Sequence, residues 1–232
     1  MKNFTSYLLK ATLALPFVVA LGSCTQNNGT NPTTASTIYY QDLLVIYDKE
    51  SKTTNATAMF RTNNATGYIH QLRESETLNI NKSLAPFDPT NRTYYWTTNK
   101  LVDVDFVFTK NSGYQFLNEI NVSDTTSVSF PTVFPNSINR TSGMTVDWDG
   151  PALDTNEMLL LVVNDEVHLP VEKPLVNNRW IFTSNDLNNL TPGDNVKIRL
   201  EMIRTLPIQA SDSNGSGRRR VVVRTTRTIS LL

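Results

Sequence analysis

The sequence predicts an all-β fold arranged as two successive domains. Short runs of β-branched and aromatic residues alternate with turn residues, and long apolar stretches at helical spacing are missing. In residues 102–108 and again in 196–202, every second side chain is apolar, which is typical of a strand with one buried face. Further candidate strands lie at residues 39–47, 54–61, 67–73, 76–81, 93–98, 127–130, 144–148, 158–164, 179–183 and 220–229.

The first 23 residues predict a secretory signal peptide. Lys2 and Lys10 precede a largely apolar segment at residues 11–21, and two small residues follow it. A helix needs roughly 20 apolar residues to cross a hydrocarbon core about 30 Å thick, and this segment is well short of that. The sequence therefore predicts cleavage after residue 23 and no permanent membrane span here.

The end of this leader, Leu21-Gly22-Ser23-Cys24, resembles the lipobox of bacterial lipoproteins, in which the cysteine receives diacylglycerol and becomes the mature N-terminus. Cys24 is the only cysteine of the 232 residues, so it has no disulfide partner within the chain. The resemblance implies a stable lipid anchor with several acyl groups, such as palmitate, on Cys24. Thr25 follows where an Asp would favour the inner membrane, so the resemblance favours the outer membrane of the cell envelope. Whether the body faces the periplasm or the cell surface stays open.

Residues 24–36 predict a lipidated, flexible tether, because residues 25–36 (TQNNGTNPTTAS) contain no large apolar side chain to bury. The full chain has 21 basic and 21 acidic residues, and removal of Lys2 and Lys10 with the leader leaves 19 basic residues against 21 acidic ones. Nucleic acids are usually bound through a large basic excess. The near-neutral balance therefore argues against a nucleic-acid partner.

The remaining chain has the length of two β-sandwich domains. Prolines and asparagines interrupt the strand pattern at residues 131–142, which predicts domain 1 at residues 37–130 and domain 2 at residues 131–232. Each predicted domain then contains roughly 90 to 100 residues, a typical size for a sandwich.

The second domain resembles immunoglobulin-like and fibronectin-like sandwiches. Residues 186–194 (DLNNLTPGD), followed by an alternating strand, are similar to the corner before the penultimate strand of those domains. Trp148 suits the inward tryptophan that such domains carry early in the chain. The resemblance implies two immunoglobulin-like β-sandwich domains in tandem, with jelly rolls and other sandwiches as alternatives.

The residues available for catalysis are few. His70 and His168 are the only histidines, they lie about a hundred residues apart, and Cys24 is assigned to lipid. Neither a Cys/His nor a Ser/His/Asp motif is present in the sequence. Paired carboxylates could still meet in space, as in glycosidases. The sequence predicts a non-enzyme without a cofactor, and a lipid-anchored hydrolase is the third-ranked possibility.

Two groups of residues are candidates for ligand binding. Tyr94 and Trp96 share one face of a strand and could stack on a sugar ring, although core packing is the competing explanation. In a strand that includes residues 218–224, Arg218, Arg220 and Arg224 share one face and could bind an anionic polymer. The favoured interpretation of these arginines is protection of an edge strand from unwanted pairing.

An acidic cluster formed by Asp147, Asp149 and Asp154 is a weak candidate for a Ca²⁺ site, because carboxylate oxygens are the ligands that this ion prefers. The spacing is not that of an EF-hand loop. Asp149-Gly150-Pro151 is also a good turn sequence, and a turn that ends a strand is the favoured explanation.

These observations predict a non-catalytic envelope lipoprotein that acts as an interaction or structural module. The expected partners are the membrane, through lipid on Cys24, and an envelope protein or glycan. A carbohydrate-binding accessory lipoprotein with exposed aromatic residues is the alternative.

Overall fold

The computed structural model describes residues 37–125, 127–164, 167–171, 179–212 and 214–232. The predicted signal peptide (residues 1–23) and tether (24–36), and with them the lipidation site Cys24, lie outside the described residues. The prediction of an all-β fold is confirmed, since strands dominate the described chain. Within the described ranges, no helix has the length and apolar character needed to cross a membrane.

The elements occur in the following chain order. The strands are β1 Tyr39–Asp48, β2 Thr53–Thr62, β3 Ile69–His70, β4 Thr77–Ile80, β5 Ser83–Leu84, β6 Phe87–Asp88, β7 Thr93–Thr98, β8 Val104–Thr109, β9 Gln115–Ile120, β10 Ser137–Ile138, β11 Met144–Asp147, β12 Glu157–Val163, β13 Val167–Val171, β14 Arg179–Phe182, β15 Gly193–Pro207 and β16 Ser216–Leu231. A single turn of helix, α1 Ser184–Leu187, lies between β14 and β15.

The described residues form three sheets. The largest has ten strands in the order β13-β12-β15-β16-β1-β2-β7-β6, with β10 beside β16 and β3 beside β2. A second sheet has the order β5-β4-β8-β9, and β11 pairs with β14 in a third. In the large sheet, β16 pairs antiparallel with β15 on one side and parallel with β1 on the other. The last strand of the chain is therefore a central strand.

The large sheet crosses the predicted domain boundary. Its β1 pairs with β16 from Tyr40 opposite Ser216 to Asp48 opposite Arg224, although the two strands were assigned to different domains. Residues 37–232 form one compact unit. The boundary segment itself is hydrogen-bonded to the end of the chain, where the Arg140 amide donates to the carbonyl of Leu232 at 3.0 Å. The predicted division into tandem immunoglobulin-like domains at 37–130 and 131–232 is thus not reproduced, because one continuous sheet joins the two parts.

The first part of the core is aromatic and joins the two larger sheets. Phe60 on β2 and Phe108 on β8 lie with ring centroids 4.9 Å apart, and Tyr39 on β1 meets Phe108 edge-on at 5.6 Å. All three side chains are buried. Full burial of one such side chain stabilises the fold by about 1.5–3 kcal/mol, so these contacts hold the four-stranded sheet against the large one.

The second part of the core is mainly aliphatic. Leu159 and Leu161 on β12 and Leu200 on β15 are fully buried, and they belong to the same core cluster as the aromatic residues. Trp148 is buried as well, which confirms its predicted inward orientation. The predicted corner at residues 186–194 does precede the penultimate strand, since β15 begins at Gly193.

Strand β9 has no counterpart among the predicted strands. Its inner face carries Phe116, Asn118 and Ile120, so a polar residue interrupts the apolar alternation. The Asn118 side chain is fully buried, and it accepts hydrogen bonds from the amides of Gln209 and Ala210 at 2.9 and 3.0 Å. Asn118, whose polar side chain breaks the alternation expected of a strand, therefore links β9 to the loop before β16.

Candidate interaction surface

The large sheet has an outer face that points away from the core. On β16, Val221 and Val223 belong to the core cluster, whereas Val222 between them points to the opposite side. Strand register aligns four apolar residues across this outer face, and we call them the apolar row. Its members, from β1 to β12, are Ile46, Val222, Ile203 and Met158.

The exposure of the apolar row increases towards β12. Val222 is only 7% exposed, and Met158 is 44% exposed. Arg220 and Arg224 flank Val222 two positions away on the same face, and we attribute its burial to the aliphatic stems of these arginines. The apolar row is thus shielded from solvent at Val222 and exposed to solvent at Met158.

Ion pairs border the apolar row on β1 and β16, and we call them the outer ion pairs. The Asp42 carboxylate accepts hydrogen bonds from Arg218 at 2.8 and 3.2 Å and from Arg220 at 3.1 Å. Arg224 donates to Asp48 at 2.8 Å. The parallel register places Asp42 directly opposite Arg218 and Asp48 directly opposite Arg224, so the pairs follow from the way the strands meet.

The arginines also control the charge of their partners. Burial alone would raise the pKa of Asp42, but the hydrogen bonds and charges of Arg218 and Arg220 outweigh it and hold that pKa below its ordinary value. The pKa of Asp48 is also lowered, against the effect of burial, by hydrogen bonds from Ser51 and by Arg224. Both carboxylates are therefore ionised at neutral pH.

The edge-strand interpretation of the arginines is wrong. Arg218, Arg220 and Arg224 do share one face, as predicted, but β16 lies between β15 and β1 and has no free edge along these residues. Their three guanidinium groups pair with two carboxylates within the sheet, which leaves one net positive charge among them. Their partners, Asp42 and Asp48, were not predicted, although the two carboxylates flank the apolar run of β1 at residues 43–47.

An open cavity of roughly 350 Å³ lies beside the outer ion pairs, at the end of the sheet where β1 turns into β2. Arg224 and Arg199, which line it, pair with Asp48 and with Glu201. Lys197 and Arg227 also line it, and neither forms an ion pair within the described residues. The cavity therefore retains two cationic groups for an anionic ligand, although the Glu50 carboxylate lines it as well.

Tyr94 and Trp96 do not form an exposed aromatic platform. Tyr94 is buried, its ring packs on Phe60 and Phe87, and its hydroxyl accepts a hydrogen bond from the Leu72 amide at 2.9 Å. Burial raises the pKa of Tyr94. Trp96 is half-buried and packs against the core on the same side. Core packing, the competing explanation, accounts for both residues.

The three predicted acidic residues are not brought together as metal ligands. Asp147 is bound by Arg179 at 2.6 and 3.2 Å, and these hydrogen bonds hold the pKa of Asp147 below its ordinary value. The backbone of Asp149 pairs with Ser129 in an isolated bridge. In the described ranges, no group of three or more carboxylate, histidine or cysteine side chains is close enough to hold a metal ion, and Asp154 belongs to no such group.

His70 is half-buried and packs against the aromatic core. Its ring stacks on Tyr39 with centroids 5.6 Å apart, and the Tyr39 hydroxyl donates to Glu76 at 2.8 Å. Burial and the Glu76 carboxylate raise the pKa of Tyr39. The backbone of His168 lies in the edge strand β13, opposite Val162.

Comparison with known proteins reveals similarity among solved structures alone. No protein-family model matches the chain. No curated protein matches it either. Among solved structures, the chain is similar to one described as structural insight into host cell surface retention of a 1.5-MDa bacterial ice-binding adhesin. The sequence identity is 15% and the TM-score is 0.26. That match covers 84% of this chain and 66% of the adhesin chain, so this chain spans just under two thirds of that length. A similarity this low carries no argument about fold or function.

Proposed function

We propose that the chain is a lipid-anchored protein of the bacterial cell envelope whose β body is a non-catalytic interaction module. The lipobox-like Leu21-Gly22-Ser23-Cys24 supports the anchor, and Thr25 after the cysteine favours the outer membrane. The body would bind a protein partner through the outer face of the large sheet.

The observation that carries this proposal is the apolar row bordered by the outer ion pairs. Protein interfaces typically have an apolar centre and a polar rim. Here Met158 is the open end of the apolar centre, and Arg218 and Arg224 are rim groups whose side chains are already fixed by Asp42 and Asp48. Groups held in place before binding lose less conformational entropy when the partner arrives.

An anionic glycan is the second candidate ligand. It no longer has support from Tyr94 and Trp96, but the cavity beside Lys197 and Arg227 favours a ligand with carboxylate, sulfate or phosphate groups. Such binding would weaken as salt rises, because exposed charges are screened over about 8 Å at physiological ionic strength.

Photo-crosslinking in cells tests the proposal. A photoreactive amino acid would replace Met158 on the outer face, and in a matched control it would replace Leu117, which is 45% exposed on the outward face of the four-stranded sheet. We expect a discrete protein adduct from position 158 and none from position 117. Cys24→Ser should remove the acyl mass from the mature chain and the adduct with it, since the protein is then no longer held at the membrane.

Each part of the proposal has its own contradicting result. A mature wild-type chain without acyl mass on Cys24, measured by mass spectrometry, would refute the anchor. Equal adduct yields at positions 117 and 158 would refute the outer face as the binding surface. The absence of any protein adduct, together with salt-sensitive retention on an anionic polysaccharide column, would favour the glycan candidate.

A further inference from the structure

Three loops of the body are tied to the residues at which the described chain begins, Thr37 and Ile38. In the β2–β3 loop, the Asn63 amide donates to the carbonyl of Ile38 at 3.0 Å. The Arg73 guanidinium, in the β3–β4 loop, donates to the Thr37 hydroxyl at 2.9 Å. The Lys110 ammonium, at the β8–β9 turn, donates to the Thr37 carbonyl at 3.1 Å. We call this group of loops the tether-proximal end, because the predicted tether leads into it.

Two tyrosines project from the tether-proximal end. Tyr68 in the β2–β3 loop is 88% exposed, and Tyr114 in the β8–β9 turn is 73% exposed. The segments that carry them, residues 62–68 (TNNATGY) and 111–115 (NSGYQ), contain no charged residue. The two tyrosine rings are therefore exposed to water on loops that carry no charged residue. Their exposure is not explained by packing within the body.

Two connections at the opposite end of the same sheets carry several charged residues. The β1–β2 turn carries Lys49, Glu50 and Lys52, and the β7–β8 connection carries Lys100 and Asp103. Charged groups lose strongly favourable hydration when they leave water, whereas uncharged polar loops lose much less. The two tyrosine loops thus lose less hydration free energy than these two connections on approaching an apolar phase, whereas the neighbouring β3–β4 loop keeps two exposed charges, Arg73 and Glu74.

We propose that the tether-proximal end contacts the interface of the anchoring membrane through Tyr68 and Tyr114. This inference rests on the proposed lipid anchor at Cys24. Thr37 lies only 13 residues after Cys24 in the sequence, whereas the ten residues of β1 place the opposite end about 33 Å further away. Tyrosine is enriched at membrane–water interfaces, because its ring is apolar and its hydroxyl remains hydrated.

Depth-dependent fluorescence quenching tests this contact with the full lipidated chain in vesicles of phosphatidylethanolamine and phosphatidylglycerol. Cys24 is the only cysteine of the chain, and in the proposed lipidated form its sulfur is in a thioether, so an introduced cysteine would be the sole reactive thiol. Nitrobenzoxadiazole would be attached at Ser112→Cys, beside Tyr114, and in a separate variant at Lys100→Cys, at the opposite end. Headgroup spin-labelled lipids should quench the label at position 112 about twofold or more as strongly as the label at position 100.

Two further variants assign the contact to the tyrosines. In the Ser112→Cys background, the double variant Tyr68→Ser/Tyr114→Ser should reduce quenching to the level seen at position 100. Leu101→Ser, which changes an exposed side chain at the opposite end, should leave it unchanged. Equal quenching at positions 112 and 100, with the protein still bound to vesicles, would overturn the contact and leave the anchor intact. A chain that neither carries acyl groups nor binds vesicles would overturn the anchor and, with it, the contact.

Discussion

Arginines on the two faces of β16 form different kinds of interaction. Arg218 and Arg220 lie on the outer face, partly exposed, and share the Asp42 carboxylate. Arg219 between them points inward and is only 8% exposed. Its Nε donates to the Pro207 carbonyl at 2.8 Å, and its Nη1 donates to the Glu119 carbonyl. The outer arginines therefore pair with a charge, whereas the inner arginine bridges the backbones of β15 and β9.

This difference shows how burial determines what an arginine contributes. Burial lowers the pKa of Arg219, opposed by the charge of Glu119, yet a guanidinium stays protonated in proteins. Removal of Arg219 would leave two carbonyls without their donor, and an unsatisfied buried polar group costs about 1–3 kcal/mol. Exposed ion pairs contribute about 0–1 kcal/mol. The inner arginine should therefore matter most for stability.

The largest expected effect comes from Arg219→Met. We expect a loss of about 2–4 kcal/mol of unfolding free energy, because the Pro207 and Glu119 carbonyls lose their donor. For a domain of this size, each 1 kcal/mol corresponds to a Tm shift of about 2–4 °C. Urea and thermal unfolding measure the effect, with the exposed Arg227→Met as the control. A loss no greater than that of Arg227→Met would contradict the bridging role.

An intermediate effect is expected for Asp42→Asn. The change removes the acceptor charge of two arginines, and we expect a loss of about 1–2 kcal/mol at pH 7, since the carboxylate is largely buried. In the folded state the pKa of Asp42 is depressed. Its stabilisation is therefore fully present above the unfolded value of about 3.9 and is lost as the pH falls through the folded pKa.

The pH dependence distinguishes loss of this charge from loss of packing. The stability difference between wild type and Asp42→Asn should stay constant from about pH 7 to 5 and shrink below about pH 4. Chemical denaturation across that range measures it. A difference that persists unchanged down to pH 2 would mean that packing, and not the Asp42 charge, stabilises the outer face.

The smallest effect is expected for Arg218→Gln. Arg218 is the more exposed of the two partners of Asp42, and Arg220 keeps its bond to that carboxylate in the variant. We expect a loss below about 0.5 kcal/mol, which should decrease further at high salt. A loss equal to that of Arg219→Met, measured in the same urea titration, would remove the distinction between the two faces.

Local patterns in the sequence predicted most strands but not their partners. The alternation in β1 and β8 reflects one buried face, and both strands were found within one or two residues. Strand β9 was missed because the buried Asn118 replaces an apolar residue on its inner face. Nothing local in the sequence indicates that β1 pairs with β16.

The same limit explains the errors at the candidate sites. The sequence showed that three arginines share a face, but the edge-strand interpretation required knowledge of the neighbours of β16. Tyr94 and Trp96 were placed on one face correctly, and only the packing of Phe60 and Phe87 shows that this face is the core. Tyr68 and Tyr114 were overlooked, because a single aromatic residue in a polar loop is not distinctive in a sequence.

The parallel pairing of β1 with β16 has a consequence for biogenesis. Asp42 and Arg218 are 176 residues apart, so the central pair of the large sheet forms between nearly the first and the last residues of the body. Contacts at such separation fold slowly, because the entropy of closing the loop is lost before any pairing forms. A nascent chain that lacks β16 cannot complete this sheet. Under the proposed export by a signal peptide, this dependence on the last strand would postpone folding until translocation is nearly finished.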